Sequence, residues 1–458
     1  MRVGVLGCGN VGSALVKLIA QRGSAVKART GVELEVTAVA VRDLSRQRDP
    51  VVAASLLSTN PSAVVEDPTV DVVVELMGGI EPALGLLLRA LSSGKAVVTA
   101  NKELLASHGG ELRAAAWKAG VPLLYEAAVA GAIPLVRPLA ESLAGELVER
   151  VTGIVNGTTN YLLTRMSEDG LGYDEALAQA KSLGLAEADP TADVEGHDAA
   201  AKVAILAGVA FGCEVLASDV YREGISGLRS VDVDFAARLG YAVKLLGVAE
   251  RVGGSDSAPE VALRVHPAMV PLSHPLASVR GAYNAVFVEG AAAGELMFYG
   301  HGAGGLPTAS AVLGDLVDAA NAMVRRSQSR PVQALVPDVQ VTRALPRAAV
   351  RPMGELRTQY YLNLEVADRP GVLAAVATVF GEHAVSIRSM EQVGLRDEAR
   401  LIFLTHTARE DDMMATIAGL RRLDAVEHVG AMLRVLGPEG AAGNSYGDLP
   451  LGSLGGPT

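Results

Sequence analysis

The sequence predicts an α/β chain in three parts: a doubly wound parallel sheet, an α+β region and a terminal βαββαβ unit. Three observations predict it. The loop Gly7-Cys8-Gly9-Asn10-Val11-Gly12 follows the apolar run Val3-Gly4-Val5-Leu6 and opens a helical stretch, the setting in which G-x-G-x-x-G has physical meaning. Strand-like and helix-like runs then alternate to about residue 130, the rhythm of a parallel sheet. From residue 358 the runs order themselves β-α-β-β-α-β.

The glycine loop predicts a dinucleotide site. Gly7 allows the tight turn, Gly9 lets backbone approach a pyrophosphate, and Gly12 lets the helix lie on the strand. The open helix N-terminus at Asn10 and Val11 offers N–H groups and partial positive charge to an anion. A second strand over 33–41 ends at Arg42-Asp43. Arg42 there suits a 2′-phosphate and favours NADP, while Asp43 could hold the ribose of NAD. Strand 70–76 leads into the turn Met77-Gly78-Gly79, and helix 81–92 follows. Strand 95–99 ends at Thr99 and runs into Ala100-Asn101-Lys102; a helix through Trp117 and a strand over 122–125 complete the sheet. Ligands bind at the carboxyl ends of such strands, so Gly78, Thr99 and Lys102 fall on the cofactor edge.

Past residue 131 the rhythm changes. Helical stretches over 133–143, 160–168, 173–183 and 198–211 mix with a strand over 147–155 and a strand-rich passage over 261–297. Residues 131–300 read as a substrate-binding and oligomerisation domain. His301-Gly302-Ala303-Gly304-Gly305 opens a long helix over 308–327 that returns to the first part, so the nucleotide-binding Rossmann-type domain is 1–130 plus 301–330. Residues 331–357 read as a Pro/Arg-rich linker. The unit 358–437 has strands over 361–367, 385–393, 400–407 and 428–436, with the middle pair joined by a turn at 395–398. Its helices are one that Asp368 caps, with Pro370 in the first turn, and one over 411–423. The Gly/Ser-rich tail 438–458 reads as disordered.

At 458 residues the chain suits two or three domains. Half the residues are hydrophobic but only 4% are aromatic, so the cores are aliphatic. A net charge of −11 argues against nucleic-acid binding, which needs a basic stripe. Cys8 and Cys213 are too few for a disulfide framework or zinc spacing. No apolar run approaches the ~20 residues of a membrane span, and strand one starts at the N-terminus without a leader pattern. A soluble, cytoplasmic protein is the expectation.

Three segments could carry chemistry. Lys102 is either a solvated loop lysine or a cation near a nicotinamide, polarising a substrate oxygen or holding a carboxylate. Asp198 and Lys202 stand i, i+4 on a helix whose other residues, Ala199 to Ala201 and Val203 to Ala207, are apolar. An exposed ion pair would suit a two-faced helix; this one is apolar all round and should be buried. Buried charges are costly unless they serve a site, so Lys202 reads as a general acid/base. Upstream, Glu187, Asp189, Asp193 and Glu195 are either a solvated acidic loop or a pocket for an ammonium group. The small residues around Glu126, Val129, Gly131 and Ile133 read as a tight crossover between domains.

Together these residues resemble the homoserine dehydrogenases over nearly the whole chain to 437. The resemblance rests on the glycine loop, Thr99-Ala100-Asn101-Lys102, Asn156-Gly157-Thr158-Thr159-Asn160-Tyr161, Glu187-Ala188-Asp189-Pro190, Gly196-His197-Asp198 through Lys202, and Gly300-His301-Gly302. The C-terminal unit resembles an ACT domain by Asp368-Arg369-Pro370-Gly371-Val372-Leu373. The resemblance implies NAD(P)-dependent interconversion of aspartate 4-semialdehyde and homoserine, toward threonine, isoleucine and methionine. It implies Lys202 as proton donor, Lys102 between cofactor and substrate, and Glu187, Asp193 and Asp198 around the amino acid. Glu126, Val129, Gly131 and Ile133 match a sodium site made mostly of backbone carbonyls; Gly184 and Gly302 fall in segments closing over the cofactor. It also implies threonine as an effector at the ACT unit and a homodimer or homotetramer. Two other readings stand beside it: a different amino-acid-linked reductase on the same sheet, and a non-catalytic amino-acid sensor built on the ACT unit.

Overall fold

The computed structural model describes residues 1–255, 257–328, 345–395 and 398–437. The tail expected to be disordered, most of the expected linker and the tip of the 395–398 turn lie outside the described residues. The chain divides into two compact units, Met1–Met353 and the remainder from Gly354.

The first unit begins with β1 (Arg2–Leu6), α1 (Asn10–Thr30), β2 (Glu35–Ala40), β3 (Leu57–Ser58), α2 (Pro61–Glu66) and β4 (Val72–Glu75). It continues with α3 (Ala83–Ser92), β5 (Ala96–Thr99), α4 (Lys102–Ala119) and β6 (Leu123–Leu124). These six strands pair in parallel in the order β3-β2-β1-β4-β5-β6, and the order reverses between β1 and β4. The central strands are buried on both faces, which is why Val72-Val73-Val74 and Val97-Val98 are unbroken apolar runs. At the switch point the chain leaves β1 into the glycine loop and leaves β4 into Met77-Gly78-Gly79, opening a crevice at the carboxyl edge.

The chain then forms β7 (Val148–Ile154), α5 (Gly157–Asp169), α6 (Tyr173–Ser182), α7 (Thr191–Val194), α8 (His197–Phe211), β8 (Tyr221–Arg222) and α9 (Ser230–Arg238). Next come β9 (Tyr241–Ser255), β10 (Ala258–Pro271), β11 (Tyr283–Gly290), β12 (Gly294–His301), α10 (Gly305–Gln328) and β13 (Ala349–Val350). Strands β12-β11-β7-β9-β10 form an antiparallel sheet, with β8 and β13 parallel to β10. Helix α8 is buried on every side, Asp198 and Lys202 included. Helix α10 does return to the first sheet: Ala309, Val312, Leu316 and Ala319 join Val3, Val5, Leu15 and Val98 in one core.

Two expectations fail in this unit for local reasons. The helix expected over 133–143 is only a short turn at Pro138–Ser142. Pro134 and Pro138 lack N–H groups, and the N–H groups of Leu135, Val136 and Arg137 donate to the Glu126 carboxylate rather than to a helix ladder. The expected linker is not free of structure either, because Ala349–Val350 pairs with Glu260–Val261. The 15-residue strand β9 was not anticipated; its apolar run Val243 to Ala249 is broken by charge only at Lys244 and shows no clean alternation.

The second unit holds β14 (Arg357–Ala367), α11 (Val372–Glu382), β15 (Ile387–Leu395), β16 (Glu398–Thr405), β17 (Ala408–Arg409), α12 (Glu410–Leu420) and β18 (Val426–Val435). The sheet runs β18-β14-β16-β15, all antiparallel, with Val376, Phe380, Phe403, Ile417 and Leu420 between helices and sheet. This is the expected βαββαβ order. The expected cap is wrong: α11 starts after Gly371, which sits at φ +93. Asp368 instead approaches the amide of Gln392 on β15.

Candidate active site

The glycine loop has the geometry its sequence requires. Gly7 lies at φ +101, a conformation L side chains rarely adopt. A Cβ on Gly12 would stand 2.2 Å from the Gly7 carbonyl oxygen, so only glycine allows α1 this close to the strand. A Cβ on Gly9 would meet nothing within 4 Å, so the face where a pyrophosphate would lie is open. No side chain caps α1 at Gly9, which leaves the N–H groups at Asn10 and Val11 for an anion. These features fit a dinucleotide.

Beside Gly9 runs a groove of about 500 Å³ lined by Ser13, Lys17, Arg46 and Arg48. Arg42 is exposed just beyond β2 and is not among the lining residues, and Asp43 binds Ser45. Sequence reading stopped at Arg42 and missed Arg46 and Arg48. The signal was three arginines within seven residues after the second strand.

A cavity of about 310 Å³ lies at the carboxyl edge and is lined by Val11, Gly78, Lys102, Gly131, Lys202 and Gly302. The structure thus brings together residues separated by up to about 290 positions of sequence. Glu75, also on its wall, was missed: it is fully buried, accepts from the N–H groups of Met77 and Gly78 and from the Thr99 hydroxyl, and so holds the turn after β4. Thr99 is buried against Glu75 and does not reach the cavity; Ala100, Asn101 and Lys102 do. Asn101 caps α4 through Leu104 N–H and ties to the Gly79 carbonyl, which fixes where Lys102 begins.

Two of the lining residues, Lys102 and Lys202, share one carboxylate, that of Asp198, which does not itself line the cavity. Lys202 Nζ donates to Asp198 Oδ2 and to the Val155 carbonyl, each at 2.7 Å. Lys102 Nζ lies 2.5 Å from Asp198 Oδ1. Lys202 and Asp198 are 8% and 7% exposed. Burial alone would raise the Asp198 pKa, but Lys202 and Lys102 outweigh it and hold the carboxyl well below the usual range. Burial works against the charge on Lys102 as well; Asp198, with Asp193 and Glu103, overcomes it and raises its pKa. An ammonium has three N–H bonds, so Lys202 keeps one for the cavity. Asp193 joins through Asn156, whose amide bridges Asp193 and Asp198. Glu187 and Gly184 are exposed and do not line this cavity.

The crossover between the two parts of the unit is held by Glu126. Its buried carboxylate takes three backbone N–H groups and the Arg137 guanidinium, and its own N–H donates to Asp315. That carboxylate therefore has no oxygen to spare for a metal, and among the described residues no group of three His, Cys, Asp or Glu is placed to hold one. Carbonyls are the remaining donors. Val129, Gly131 and Ile133 are buried, and no backbone N–H among the described residues donates to their oxygens. Buried carbonyls without donors suit a monovalent cation. Gly131 also packs on the Gly302 loop, where a Cβ would stand 2.4 Å from the Gly302 oxygen.

An open phosphate cradle at a sheet switch point, beside a cavity lined by a buried lysine paired with a carboxylate, defines a nicotinamide-dependent oxidoreductase. Comparison with known proteins narrows the class. Residues 7–126 match the NAD-binding domain of homoserine dehydrogenase, 134–317 its homoserine dehydrogenase domain, and 360–424 the ACT domain. Homoserine dehydrogenase of Mycobacterium tuberculosis is 50% identical over 95% of this chain and 97% of that protein; that of Corynebacterium glutamicum is 47% identical over 94% and 95%. The crystal structure of a homoserine dehydrogenase from Thiobacillus denitrificans superposes with TM-score 0.86 at 41% identity, over 95% of this chain and 98% of that one. A hyperthermophilic archaeal homoserine dehydrogenase mutant in complex with NADPH superposes with TM-score 0.60 at 29% identity, over 70% and 97%. The chain belongs to the homoserine dehydrogenase family of NAD(P)-dependent oxidoreductases.

Proposed function

We propose that this chain reversibly reduces L-aspartate 4-semialdehyde to L-homoserine, with Lys202 as the proton carrier. The observation that carries the reading is the third N–H of Lys202: two are committed to Asp198 and Val155, and Lys202 lines the cavity shared with Gly78, Lys102 and Gly302. When bound, the reduced nicotinamide supplies a hydride to the aldehyde carbon. Negative charge then develops on the aldehyde oxygen, and Lys202 gives that oxygen its proton. In the reverse direction Lys202 takes the hydroxyl proton, so homoserine oxidation rises with pH. Asp198 keeps both ammonium groups in register, and Lys102 orients substrate and nicotinamide. Asp193 and the exposed Glu187 supply negative charge for the substrate ammonium. Gly184 and Gly302 belong to segments that close over the cofactor.

The loop residues Gly7, Gly9, Asn10, Val11 and Gly12 take the pyrophosphate, and Gly78 and Thr99 shape the nicotinamide side. NADP is the preferred cofactor, with Arg42 aided by Lys17, Arg46 and Arg48 at the 2′-phosphate. A sodium ion on the carbonyls of Glu126, Val129, Gly131 and Ile133 steadies the crossover. The ACT unit takes threonine as a feedback effector, and the assembly is a homodimer or homotetramer in the cytoplasm. No helix among the described residues is long and apolar enough to cross a membrane. The test is homoserine oxidation followed at the reduced-nicotinamide absorbance, wild type beside Lys202→Ala. Robust activity in the first and a deep loss in the second support the reading; a wild type inert toward homoserine overturns it.

A further inference from the structure

We propose that Asn156 is a positioning residue of the catalytic centre: its amide orients Asp198, and through Asp198 it sets the spacing of Lys102 and Lys202. The inference rests on Lys202 as the proton carrier. Asn156 stands in the turn between β7 and α5 and is 5% exposed. Its Oδ1 accepts from the Thr159 N–H at 2.9 Å and the Thr159 hydroxyl at 3.0 Å, which caps α5. Its Nδ2 has two N–H bonds. One goes to Asp193 Oδ1 at 2.7 Å, the other to Asp198 Oδ2 at 2.9 Å. The carbonyl just before it, on Val155, accepts from Lys202 Nζ. One two-residue turn therefore grips both members of the Asp198–Lys202 pair.

The cap does not explain the asparagine. Serine, threonine and aspartate cap helices about as well, and none offers two N–H donors. The χ2 torsion of a carboxylate is broad, so ion pairs alone leave the Asp198 plane free to turn. The Asn156 donor removes that freedom and keeps Oδ2 toward Lys202 while Oδ1 faces Lys102. It also holds two carboxylates together that would otherwise repel. The charged groups facing this point are Asp198 and Lys202 on α8, Lys102 on α4 and Asp193 on α7, and Glu75 lines the cavity that Lys102 and Lys202 line.

Asn156→Asp keeps the cap acceptor, removes both donors and sets a third carboxylate against Asp193 and Asp198. In the full-length enzyme, kcat for homoserine oxidation should fall at least about 30-fold, since small misplacements of reacting groups cost up to about a hundredfold. NADPH affinity should stay within about threefold, which also shows that the variant is folded. Asn156→Ser keeps a cap, adds no charge and should lose about tenfold or more in kcat with NADPH affinity again within about threefold; it carries the same test if the aspartate variant does not bind NADPH. A purely structural cap predicts that both variants keep kcat within threefold while binding NADPH normally, and that result overturns the proposal. If Lys202→Ala also kept its turnover, the proton-carrier reading would fall first; if it lost turnover while both Asn156 variants did not, only this inference would fall.

Discussion

Lys202 is nearly as buried as the alanines around it, yet it is an ammonium with one N–H bond left over. Burying a charge without a partner is costly, and Asp198 supplies the partner. The same carboxylate also faces Lys102, so the site holds one anion between two cations. Because Asp198 is held well below the usual carboxylate range, it stays ionised across any working pH. At the other end of the cofactor groove, arginines rather than acids dominate the surface after β2. Arg42→Ala should therefore raise the KM for NADPH at least about tenfold more than the KM for NADH, as expected for loss of a charge-assisted contact worth ~1.5–3 kcal/mol. Equal effects on both cofactors would remove Arg42 from the 2′-phosphate site and leave Lys17, Arg46 and Arg48 to carry it.

At the scale of elements, the glycine loop separates fold from ligand. Gly12 is enclosed by the Gly7 carbonyl, whereas Gly9 opens on empty space and has an ordinary negative φ. Gly9→Ala should keep the thermal midpoint within about 3 °C while weakening NADPH binding at least about tenfold, because the new methyl takes the place of a phosphate oxygen. A variant with unchanged NADPH affinity would deny that the cofactor lies against Gly9. The sequence made this loop legible because its glycines answer to local sterics. It made α8 legible because an all-apolar helix with two charges has few bland explanations. It hid the failure of the 133–143 helix, since the competitor was a distant carboxylate, Glu126, collecting its N–H groups. It also hid Glu75 and Asn156. A buried acid at a strand end and an asparagine cap are common, and only tertiary contacts reveal what their remaining polar atoms hold. The start of α11 went astray because Pro370-Gly371 lets the chain turn later than Asp368, through a glycine at positive φ.

At the scale of the molecule, the chain carries a catalytic unit with its own cores and a separate βαββαβ unit with its own. The second unit contains none of the residues lining the catalytic cavity. We propose that its contribution is regulatory and that it is dispensable for chemistry. Titration of threonine against the intact enzyme should depress homoserine oxidation, and a chain ending at Met353 should keep activity but lose the response. Inhibition that is identical in both would take the effector site away from the ACT unit.

The central claim is that a buried ammonium at position 202 hands its proton to the substrate oxygen. The most direct measurement is the turnover of Lys202→Ala alongside its NADPH affinity, both on the full-length enzyme. Turnover should fall at least ~10²-fold with NADPH affinity nearly intact, the signature of an interaction made in the transition state. Near-normal turnover would contradict the account.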